Sequence, residues 1–245
     1  MTPPPRDGEG RTGAASDGEA AAATVGFDFA ALTGRERYKL LIGAVVPRPI
    51  ALVTTVDADG AVNAAPFSFF NCLSADPAIL ALGVEYRPEG AQKDTGRNVR
   101  DTQSFTVNIV SDAILEAMNV CAVPFAPGVD ELRQAGLTPA PGARVPCPWI
   151  AEAPAAFECR HHTTLGIGRS REIILGEVVF AHFRPGVVDA ARHHVDAAAL
   201  DAVGRMGGAG YARTRDYFDL PSLSVEQWDA QGWTGARRVY RETPR

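Results

Sequence analysis

Short runs of β-branched and aliphatic residues, set apart by turn residues, most constrain what this chain can fold into. The run at residues 50–56 is followed by the turn sequence Asp57-Ala58-Asp59-Gly60 and then by the segment 63–68, which together predict a hairpin. Because Pro66 has no N–H, we expect it to break the ladder and stop the second strand, with a polar, aromatic loop after it. Further strands are predicted at residues 79–85, 105–110, 157–166 and 173–183.

Helical patterns are fewer than strand patterns. The predicted helices lie at residues 93–101, 112–121, 129–135 and 196–203. Asp112 is expected to cap the second of them, and Gly136 and Gly204 to close the last two. Long helices do not alternate with the strands as they do in a doubly wound parallel sheet. The pattern therefore favours a closed barrel with helical decorations.

Composition and charge narrow the class of protein. The 245 residues are 46% hydrophobic and 22% charged, as in an ordinary globular domain. The net charge of −5 disfavours a nucleic-acid partner, which normally calls for a basic surface. No apolar run approaches the roughly 20 residues of a membrane span. The N-terminus also has no basic region leading into an apolar one, so we expect a cytoplasmic protein without a membrane partner.

Three segments are expected along the chain. Residues 1–24 are rich in Pro, Gly, Ala and Thr, and we expect a disordered tail because such a segment cannot bury enough surface to offset its ordering entropy. Residues 25–223 form the folded domain. Residues 224–245 form a C-terminal extension, for which a solvated end is favoured over a docking tail or an oligomer contact.

The cysteines and histidines do not predict a metal site. The four cysteines are Cys72, Cys121, Cys147 and Cys159. They form no Cys-x-x-Cys pair, so we expect reduced thiols, of which Cys72 is the one to watch for reactivity. Adjacent histidines on a strand point to opposite faces and cannot share a metal ion. The segment 166–171 lacks the third glycine of a dinucleotide fingerprint, and no signature of a hydrolase or a P-loop is present.

A candidate phosphate site lies at the start of the first predicted helix. Lys93 supplies positive charge, and Thr95 and Asn98 supply donors near the helix N-terminus, where free amides and the helix dipole favour an anion. A plain helix cap with a solvated lysine is the alternative. A flat ring that bears a phosphate would suit both this segment and the polar loop after the hairpin. That combination indicates flavin chemistry.

Four motifs carry a family resemblance that spans roughly residues 36–220. They are Pro47-Arg48-Pro49-Ile50-Ala51, Asn63-Ala64-Ala65-Pro66-Phe67-Ser68, Lys93-Asp94-Thr95 with Asn98, and Arg205-Met206-Gly207-Gly208-Ala209-Gly210-Tyr211. In this order and spacing the chain resembles the flavin reductase-like family of FMN-binding split β-barrels. The resemblance implies a mainly β fold, a split β-barrel of Greek-key type with a few peripheral helices.

The resemblance also assigns residues to the phosphate and the ribityl chain of the flavin. Lys93, Thr95 and Asn98 take the phosphate-contact positions. Either Thr54 or Thr55 is expected to contact the ribityl chain or the phosphate, since only one of two adjacent strand residues points inward. An ordinary strand role for both threonines is the alternative.

Other residues are assigned to the ring by the same resemblance. The backbone from Asn63 through Ala65 to Ser68 is expected to follow the isoalloxazine edge, and Asn71 adds polarity there. A bulged strand end is the alternative. Arg48 is expected near N1 of the ring, where a guanidinium stabilises negative charge, although a salt bridge would explain it equally.

A last pair of residues, Arg205 and Tyr211, is expected to approach the flavin or a subunit interface, with a simple turn as the alternative.

The function implied is an NAD(P)H-dependent flavin reductase. Hydride transfer needs no side-chain nucleophile or base, which agrees with binding motifs and no catalytic residue. FMN is the expected flavin, with FAD as the alternative and with NADH and NADPH both open. The implied partners are a second copy in a homodimer and a monooxygenase that receives reduced flavin. The alternatives are a flavoprotein with tightly bound FMN that acts on a small organic substrate or an electron-transfer partner, and a flavin-binding barrel without turnover.

Overall fold

The computed structural model describes residues 24–87, 90–126 and 128–231 and the backbone of residues 239–240. The helices are α1 (Gly34–Ala44), α2 (Asp94–Thr102), α3 (Leu115–Val120), α4 (Glu131–Ala135), α5 (Ala197–Leu200) and α6 (Val225–Gln231), with a 3₁₀ turn at Asp112–Ile114. The strands are β1 (Arg48–Pro49), β2 (Ala51–Val56), β3 (Val62–Phe67), β4 (Phe70–Ala75), β5 (Ala78–Glu85), β6 (Ser104–Ile109), β7 (Pro139–Ala140), β8 (Trp149–Ile150), β9 (Ala155–Ile167), β10 (Arg171–Phe183), β11 (Val188–Asp189), β12 (His194–Val195), β13 (Val203–Arg205), β14 (Tyr211–Arg213), β15 (Phe218–Asp219) and β16 (Val239–Tyr240). Apart from Thr24, the predicted disordered tail lies outside the described residues.

One antiparallel sheet of seven strands dominates the domain, in the order β3-β2-β6-β9-β10-β5-β4. Its edge strands β3 and β4 are consecutive in the chain and are joined by Ser68 and Phe69 alone. The two edges of the sheet therefore come together at this link, where the carbonyl of Phe69 accepts the N–H of Gly83 on β5 (2.7 Å). Within the described residues the ladder does not continue between β3 and β4. The sheet is rolled like a barrel, but its two edge strands do not pair with each other. The closed barrel that the strand pattern favoured would require this pairing.

Apolar side chains are buried on both faces of the rolled sheet. Val53 packs with Leu82, Phe105 and Val107 in one cluster, whereas its neighbour Leu52 packs in another. The second cluster is completed by apolar residues of α3, α4 and β8 and their flanking turns. Because adjacent strand residues point to opposite faces, β2 is buried on both sides.

The six predicted strands are confirmed, with ends that move by at most two residues, and β9 and β10 form the long central hairpin. Gly176 on β10 is required there, because a Cβ at this position would overlap the buried ring of Phe105. The lack of a side chain at this position lets β10 pass close to the Phe105 ring.

Two of the predicted helices begin or end differently. Asp112 does not cap a helix; Ser111 precedes the 3₁₀ turn, and the Asp112 carboxylate binds Arg213 and Arg215 instead. The helix expected at 196–203 is only α5, because Asp201 adopts a left-handed conformation (φ 47°) and the chain then enters β13. Gly136 does close α4, as predicted, with φ 69°.

Helix α1 was not indicated by the apolar pattern. It begins after Thr33, whose N–H is accepted by the Glu36 carboxylate (2.8 Å) while the Thr33 hydroxyl accepts the Glu36 N–H (3.3 Å). This reciprocal pair is a capping box, so the Thr-x-x-Glu spacing was the signal that apolar periodicity missed.

The predicted C-terminal extension begins at a helix cap. The Ser224 hydroxyl accepts the N–H of Gln227 in the first turn of α6 (3.2 Å). Further along, β16 pairs with β15, so the extension returns to the segment that precedes it. In the described part of the chain, no helix has the length and apolar character needed to cross a membrane.

Candidate flavin site

A cavity of about 870 Å³ opens beside β3 and the start of α2. Its size is within the range of small-molecule sites, about 300–1,000 Å³. The residues that line it are Asn63, Ala64, Ala65, Pro66, Phe67, Glu85, Tyr86, Arg87, Gly90, Lys93, Asp94, Thr95, Cys121, Ala122, Val123, Pro124, Phe125, Glu131, Arg169 and Ser170. Four of the residues predicted from the sequence are among them: Asn63, Ala65, Lys93 and Thr95.

The start of α2 gives the cavity a positive end. Lys93 precedes the helix in an extended conformation, and its side chain does not cap the helix. The Lys93 side chain therefore accepts no hydrogen bond from the backbone amides of the first turn. Asp94 forms ion pairs with Arg87 and Arg97, both at 2.8 Å. The carboxylate thereby holds two guanidinium groups close to the helix N-terminus. Together with Lys93 and the helix dipole, they favour an anion at this end.

A polar cluster lies directly under the start of α2. The Asn63 amide donates to the hydroxyls of Thr95 (3.2 Å) and Thr55 (3.4 Å), and the Asn98 amide also donates to Thr55 (3.1 Å). Thr55, Thr95 and Asn98 are almost completely buried. The side-chain oxygen of Asn98 has no hydrogen-bond partner among the described residues. Four of the predicted residues, Thr55, Asn63, Thr95 and Asn98, are therefore brought together. The buried side-chain oxygen of Asn98 remains a free acceptor beside Asn63 and Thr95, which line the cavity.

The structure separates the two adjacent threonines of β2. Thr54 donates to the carbonyl of Pro148 and accepts from the Asn108 amide (3.3 Å), on the face opposite to Thr55. Thr54 is thus part of the packing between β2, β6 and the segment before β8. Thr55 is the member of the pair that faces α2.

Pro66 does not end its strand, which corrects the expectation from the sequence. β3 continues to Phe67, and Pro66 pairs in register with Leu52. The N–H of Ala64, two residues earlier, is accepted by a side chain rather than by β2, so this side of β3 is the free edge of the sheet. A proline nitrogen that faces the free edge removes no ladder hydrogen bond, and the strand is uninterrupted.

Glu131 is a cavity residue that the sequence did not reveal. It is the first residue of α4, and its Oε2 accepts the N–H of Ala64 at 3.0 Å. Burial raises the pKa of Glu131, as do the nearby Asp94 and Asp130 carboxylates, while the Ala64 hydrogen bond acts in the opposite direction. No local motif marks such a residue, because its partner lies 67 positions earlier in the chain.

Cys121 lies next to Glu131 in the cavity wall, and its thiol is expected to be unreactive. Its thiol contacts the carbonyl oxygen of Glu131 at 3.8 Å. Burial, followed by the charges of Glu131 and Asp130, raises the pKa of Cys121 to about 12. The thiol therefore stays protonated and is a poor nucleophile. Of the four cysteines, only Cys72 is exposed, and its reactivity stays a prediction.

A buried carboxylate holds α2 against the sheet from below. Glu172 on β10 accepts hydrogen bonds from Arg100 on α2 and from the Tyr86 hydroxyl (3.2 Å). Gly96 lies so close to Glu172 that a Cβ at this position would overlap the carboxylate. The helix that carries Thr95 and Asn98 is positioned by this contact, which no local sequence motif indicates.

The remaining predicted residues do not line the cavity. Arg48 donates to the carbonyls of Ile42 and Val45, both at 2.8 Å, and of Met206 at 3.1 Å. It thus ties the end of α1 and the loop after β13 together, and its predicted contact with the ring remains a prediction.

Arg205 and Tyr211 pair with each other on β13 and β14. The Arg205 guanidinium lies 4.5 Å from the centre of the Tyr211 ring and also donates to the carbonyl of Gly208 (2.7 Å). Their approach to a flavin or an interface stays a prediction.

Ser68 lies in the link between β3 and β4, and Asn71 lies near the start of β4; neither lines the cavity. Asn71 is exposed and accepts the N–H of Cys72 (2.8 Å). Their assignment to the ring edge likewise remains a prediction.

Metal chemistry has no candidate centre in the described ranges. No group of three or more His, Cys, Asp and Glu side chains within residues 24–87, 90–126 and 128–231 has a metal-binding arrangement.

Comparisons with known proteins agree with this geometry. The family model of the flavin reductase like domain matches residues 43–199. An uncharacterized protein of Deinococcus radiodurans is 47% identical over 211 residues, which cover 84% of this chain and 92% of the relative.

Two solved structures are similar over most of their length. Nitrilotriacetate monooxygenase component B from Bacillus cereus is 29% identical with a TM-score of 0.77, covering 82% of this chain and 100% of that one. The 2-nitrobenzoate 2-nitroreductase NbaA of Pseudomonas fluorescens is 32% identical with a TM-score of 0.74, covering 82% and 98%. The chain therefore belongs to the flavin reductase-like family, has its split β-barrel fold and is a flavin-related oxidoreductase.

Proposed function

We propose that this protein is a cytoplasmic NAD(P)H-dependent oxidoreductase that binds FMN in the cavity beside β3 and α2 and supplies reduced flavin. The observation that carries the proposal is that the predicted phosphate residues Lys93 and Thr95 line the same cavity as the predicted ring-edge residues Asn63 and Ala65. Residues that are distant in the chain thus meet at one site of suitable size.

The residues present fit a flavin mononucleotide at its phosphate end. A dianionic phosphate needs positive charge and several donors, which Lys93, Thr95 and the start of α2 supply. The hydroxyls of a ribityl chain need acceptors, and the free oxygen of Asn98 is a buried acceptor in the adjoining cluster. Phosphate and ribityl groups would therefore satisfy polar groups that the protein leaves open.

The ring end of the cavity has one polar and one apolar wall. The backbone of β3 supplies the polar wall, and the segment from Ala122 to Phe125 supplies aliphatic and aromatic surface. A flat ring with a polar edge suits a slot of this kind. Bound flavin would supply the redox chemistry, while the chain binds the cofactor, orients it and sets the charge around it.

The nicotinamide needs no dinucleotide fold of its own. Hydride transfer requires the donor carbon to lie against the acceptor nitrogen, which stacking of two flat rings in one cavity achieves. The absence of a complete dinucleotide fingerprint in the sequence agrees with such a donor. The hydride step itself requires no side-chain nucleophile or general base.

A second candidate function is the reduction of a small organic substrate by tightly bound FMN. The similarity to a 2-nitrobenzoate nitroreductase at 32% identity favours it. Arg169, which lines the cavity from the exposed turn between β9 and β10, places a positive charge where an anionic substrate would enter.

The proposed partners are a second copy of the chain and a monooxygenase component. The similarity to nitrilotriacetate monooxygenase component B, whose whole length is covered, supports a role as the reductase of a two-component system. Sedimentation of the purified protein measures the homodimer, and stimulation of turnover by an oxygenase measures the second partnership.

Anaerobic oxidation of NADH and of NADPH, with and without added FMN or FAD, tests the proposal. Turnover that scales with added flavin establishes a reductase that releases reduced flavin. A single stoichiometric bleaching of bound FMN, followed by turnover when 2-nitrobenzoate is added, establishes the second candidate instead. Bound FMN that neither nicotinamide reduces would leave a flavin-binding barrel without turnover and would overturn both.

A further inference from the structure

Glu131 differs from the other carboxylates of the cavity in its partners. Asp94 is held by two arginines, and Glu85 accepts from Arg171 at 3.3 Å. The Glu131 carboxylate interacts with two backbone N–H groups, that of Ala64 and its own, and no cation among the described residues is paired with it. It is therefore the lining carboxylate whose charge is not balanced by a neighbour.

The charges that act on the Glu131 carboxyl are those of Asp94 and Asp130, whereas the cations Arg87, Lys93 and Arg169 line other parts of the cavity. Asp130 on the same helix caps α4, Asp94 faces it from α2, and Cys121 faces it from α3 as a neutral thiol. The part of β3 that lines the cavity, residues 63–67, carries no titratable side chain. Any further negative charge in the cavity therefore acts on Glu131 in the same direction as these two aspartates.

The hydrogen bond to Ala64 leaves Glu131 free to change its charge without moving. Oε2 accepts the amide of Ala64, and no side chain of the described residues donates a hydrogen bond to the carboxylate. A protonated carboxyl group still accepts through one oxygen while the other carries the proton. Burial and the two aspartates already raise the pKa of Glu131, and a further negative charge in the cavity raises it again, which favours the protonated form.

We propose that Glu131 takes up a proton from solvent when bound flavin is reduced, and so couples the reduction to pH. The inference rests on the proposed function, because it requires flavin in this cavity. Hydride transfer from the nicotinamide moves two electrons and one proton into the cavity and adds one negative charge. A solvent proton that binds Glu131 Oε1 cancels this charge, and it returns to solvent when the electrons leave for the acceptor. Glu131 is in this sense a charge-compensating residue of the cavity wall.

The test replaces Glu131 by an isosteric group that cannot ionise. Glu131→Gln keeps an oxygen for the Ala64 N–H. Glu152→Gln is the matched control, because the Glu152 carboxylate also accepts a backbone N–H, from Thr138 at 3.0 Å, but does not line the cavity. The full-length flavin-loaded proteins are titrated on an electrode, without nicotinamide, and the midpoint potential is measured across the neutral pH range.

We expect the midpoint potential of the wild type and of Glu152→Gln to fall more steeply with pH than that of Glu131→Gln. At the alkaline end, Glu131→Gln should favour the reduced flavin about tenfold, which is about 30 mV for a two-electron couple. Parallel lines for all three proteins would overturn the inference while leaving the flavin site in place. A wild type that binds no flavin would overturn the proposed function, and the inference with it.

A second measurement uses the wild type and so does not depend on how well a variant folds. The reduced-minus-oxidised infrared difference spectrum should contain the stretch of a newly protonated carboxyl group. We expect this band in the wild type and in Glu152→Gln, and we expect Glu131→Gln to lack it. A wild-type spectrum without the band would overturn the inference.

Discussion

Two buried carboxylates on neighbouring strands, Glu158 on β9 and Glu172 on β10, differ in whether both of their oxygens are hydrogen-bonded. Glu158 accepts the N–H groups of Ala143 (2.6 Å), Arg144 (2.6 Å) and Val145 (2.9 Å), and its Oε1 also contacts His182 (2.6 Å). Glu172 is bound through Oε2 alone, and its Oε1 has no partner among the described residues.

The difference extends from these residues to their surroundings. The His182 ring beside Glu158 is stacked on Trp149 at 4.6 Å, so the network is enclosed by aromatic packing. Glu172 lies under α2, and this helix also carries Asn98, whose side-chain oxygen is likewise without a partner among the described residues. The Glu158 network is complete within the protein and stabilises the fold, whereas the α2 network retains unsatisfied acceptors where a ligand is expected.

Removing the Glu158 side chain should produce the largest loss of stability. Glu158→Ala leaves three backbone amides and His182 without their acceptor, and we expect the free energy of unfolding to fall by about 3 kcal/mol. Chemical denaturation followed by circular dichroism measures it. Flavin affinity of the folded protein should not change. A loss of affinity at unchanged stability would contradict the division between the two networks.

Removing the charge at the start of α2 should have the opposite profile. Lys93→Ala is expected to weaken FMN binding roughly tenfold or more, because a charged donor to phosphate is lost, with little change in unfolding. Fluorescence titration of FMN measures the affinity. The exposed Lys39, the other lysine of the chain, provides a charge-matched control as Lys39→Ala. Equal affinities of both variants and the wild type would remove Lys93 from the phosphate site.

The adjacent threonines of β2 test the comparison within a single strand. Thr55→Val removes the acceptor shared by Asn63 and Asn98, and we expect about fivefold weaker FMN binding. Thr54→Val breaks contacts with Pro148 and Asn108 on the opposite face and should cost about 1 kcal/mol of stability without a change in affinity. Calorimetric unfolding and FMN titration of both variants distinguish these outcomes; identical profiles would show that the two faces act together.

The smallest expected effect is the acid sensitivity that Glu158 confers. Burial raises the pKa of Glu158. The hydrogen bonds from His182 and from the amides of residues 143–145 outweigh burial, so that the pKa is lowered overall. A carboxyl with a lowered pKa contributes stability above its unfolded-state pKa, near 4.5, and loses it as pH falls through the folded-state value. Unfolding free energy measured against pH should therefore decline less steeply in this acid range for Glu158→Gln than for the wild type. Equal slopes would mean that the carboxyl titrates alike in both states.

The sequence predicted elements and residues whose signal is local. Runs such as 50–56 and 173–183 are dense in β-branched and aliphatic residues, and they are strands because such side chains pack on a pleated surface. Lys93 and Thr95 were found because a helix start and its polar residues lie within a few positions of one another. Both residues line the cavity beside β3 and the start of α2.

The missed features depend on contacts between distant segments. Glu131 and Glu172 acquire their roles from Ala64 and from α2, and neither is marked by its own neighbours in the sequence. The effect of Pro66 depends on whether its nitrogen faces a partner strand or the edge of the sheet. That is decided by the strand order and not by the residues around it.

The free edge of β3 also bears on how the protein avoids aggregation. An open strand edge that offers N–H groups can pair with a strand of another molecule and begin an aggregate. Along this edge Pro66 has no N–H to offer, and the N–H of Ala64 is occupied by Glu131. Two successive outward positions are thus closed to a foreign strand. Pro66 and Glu131, which both line the cavity, therefore also keep this edge from growing into an intermolecular sheet.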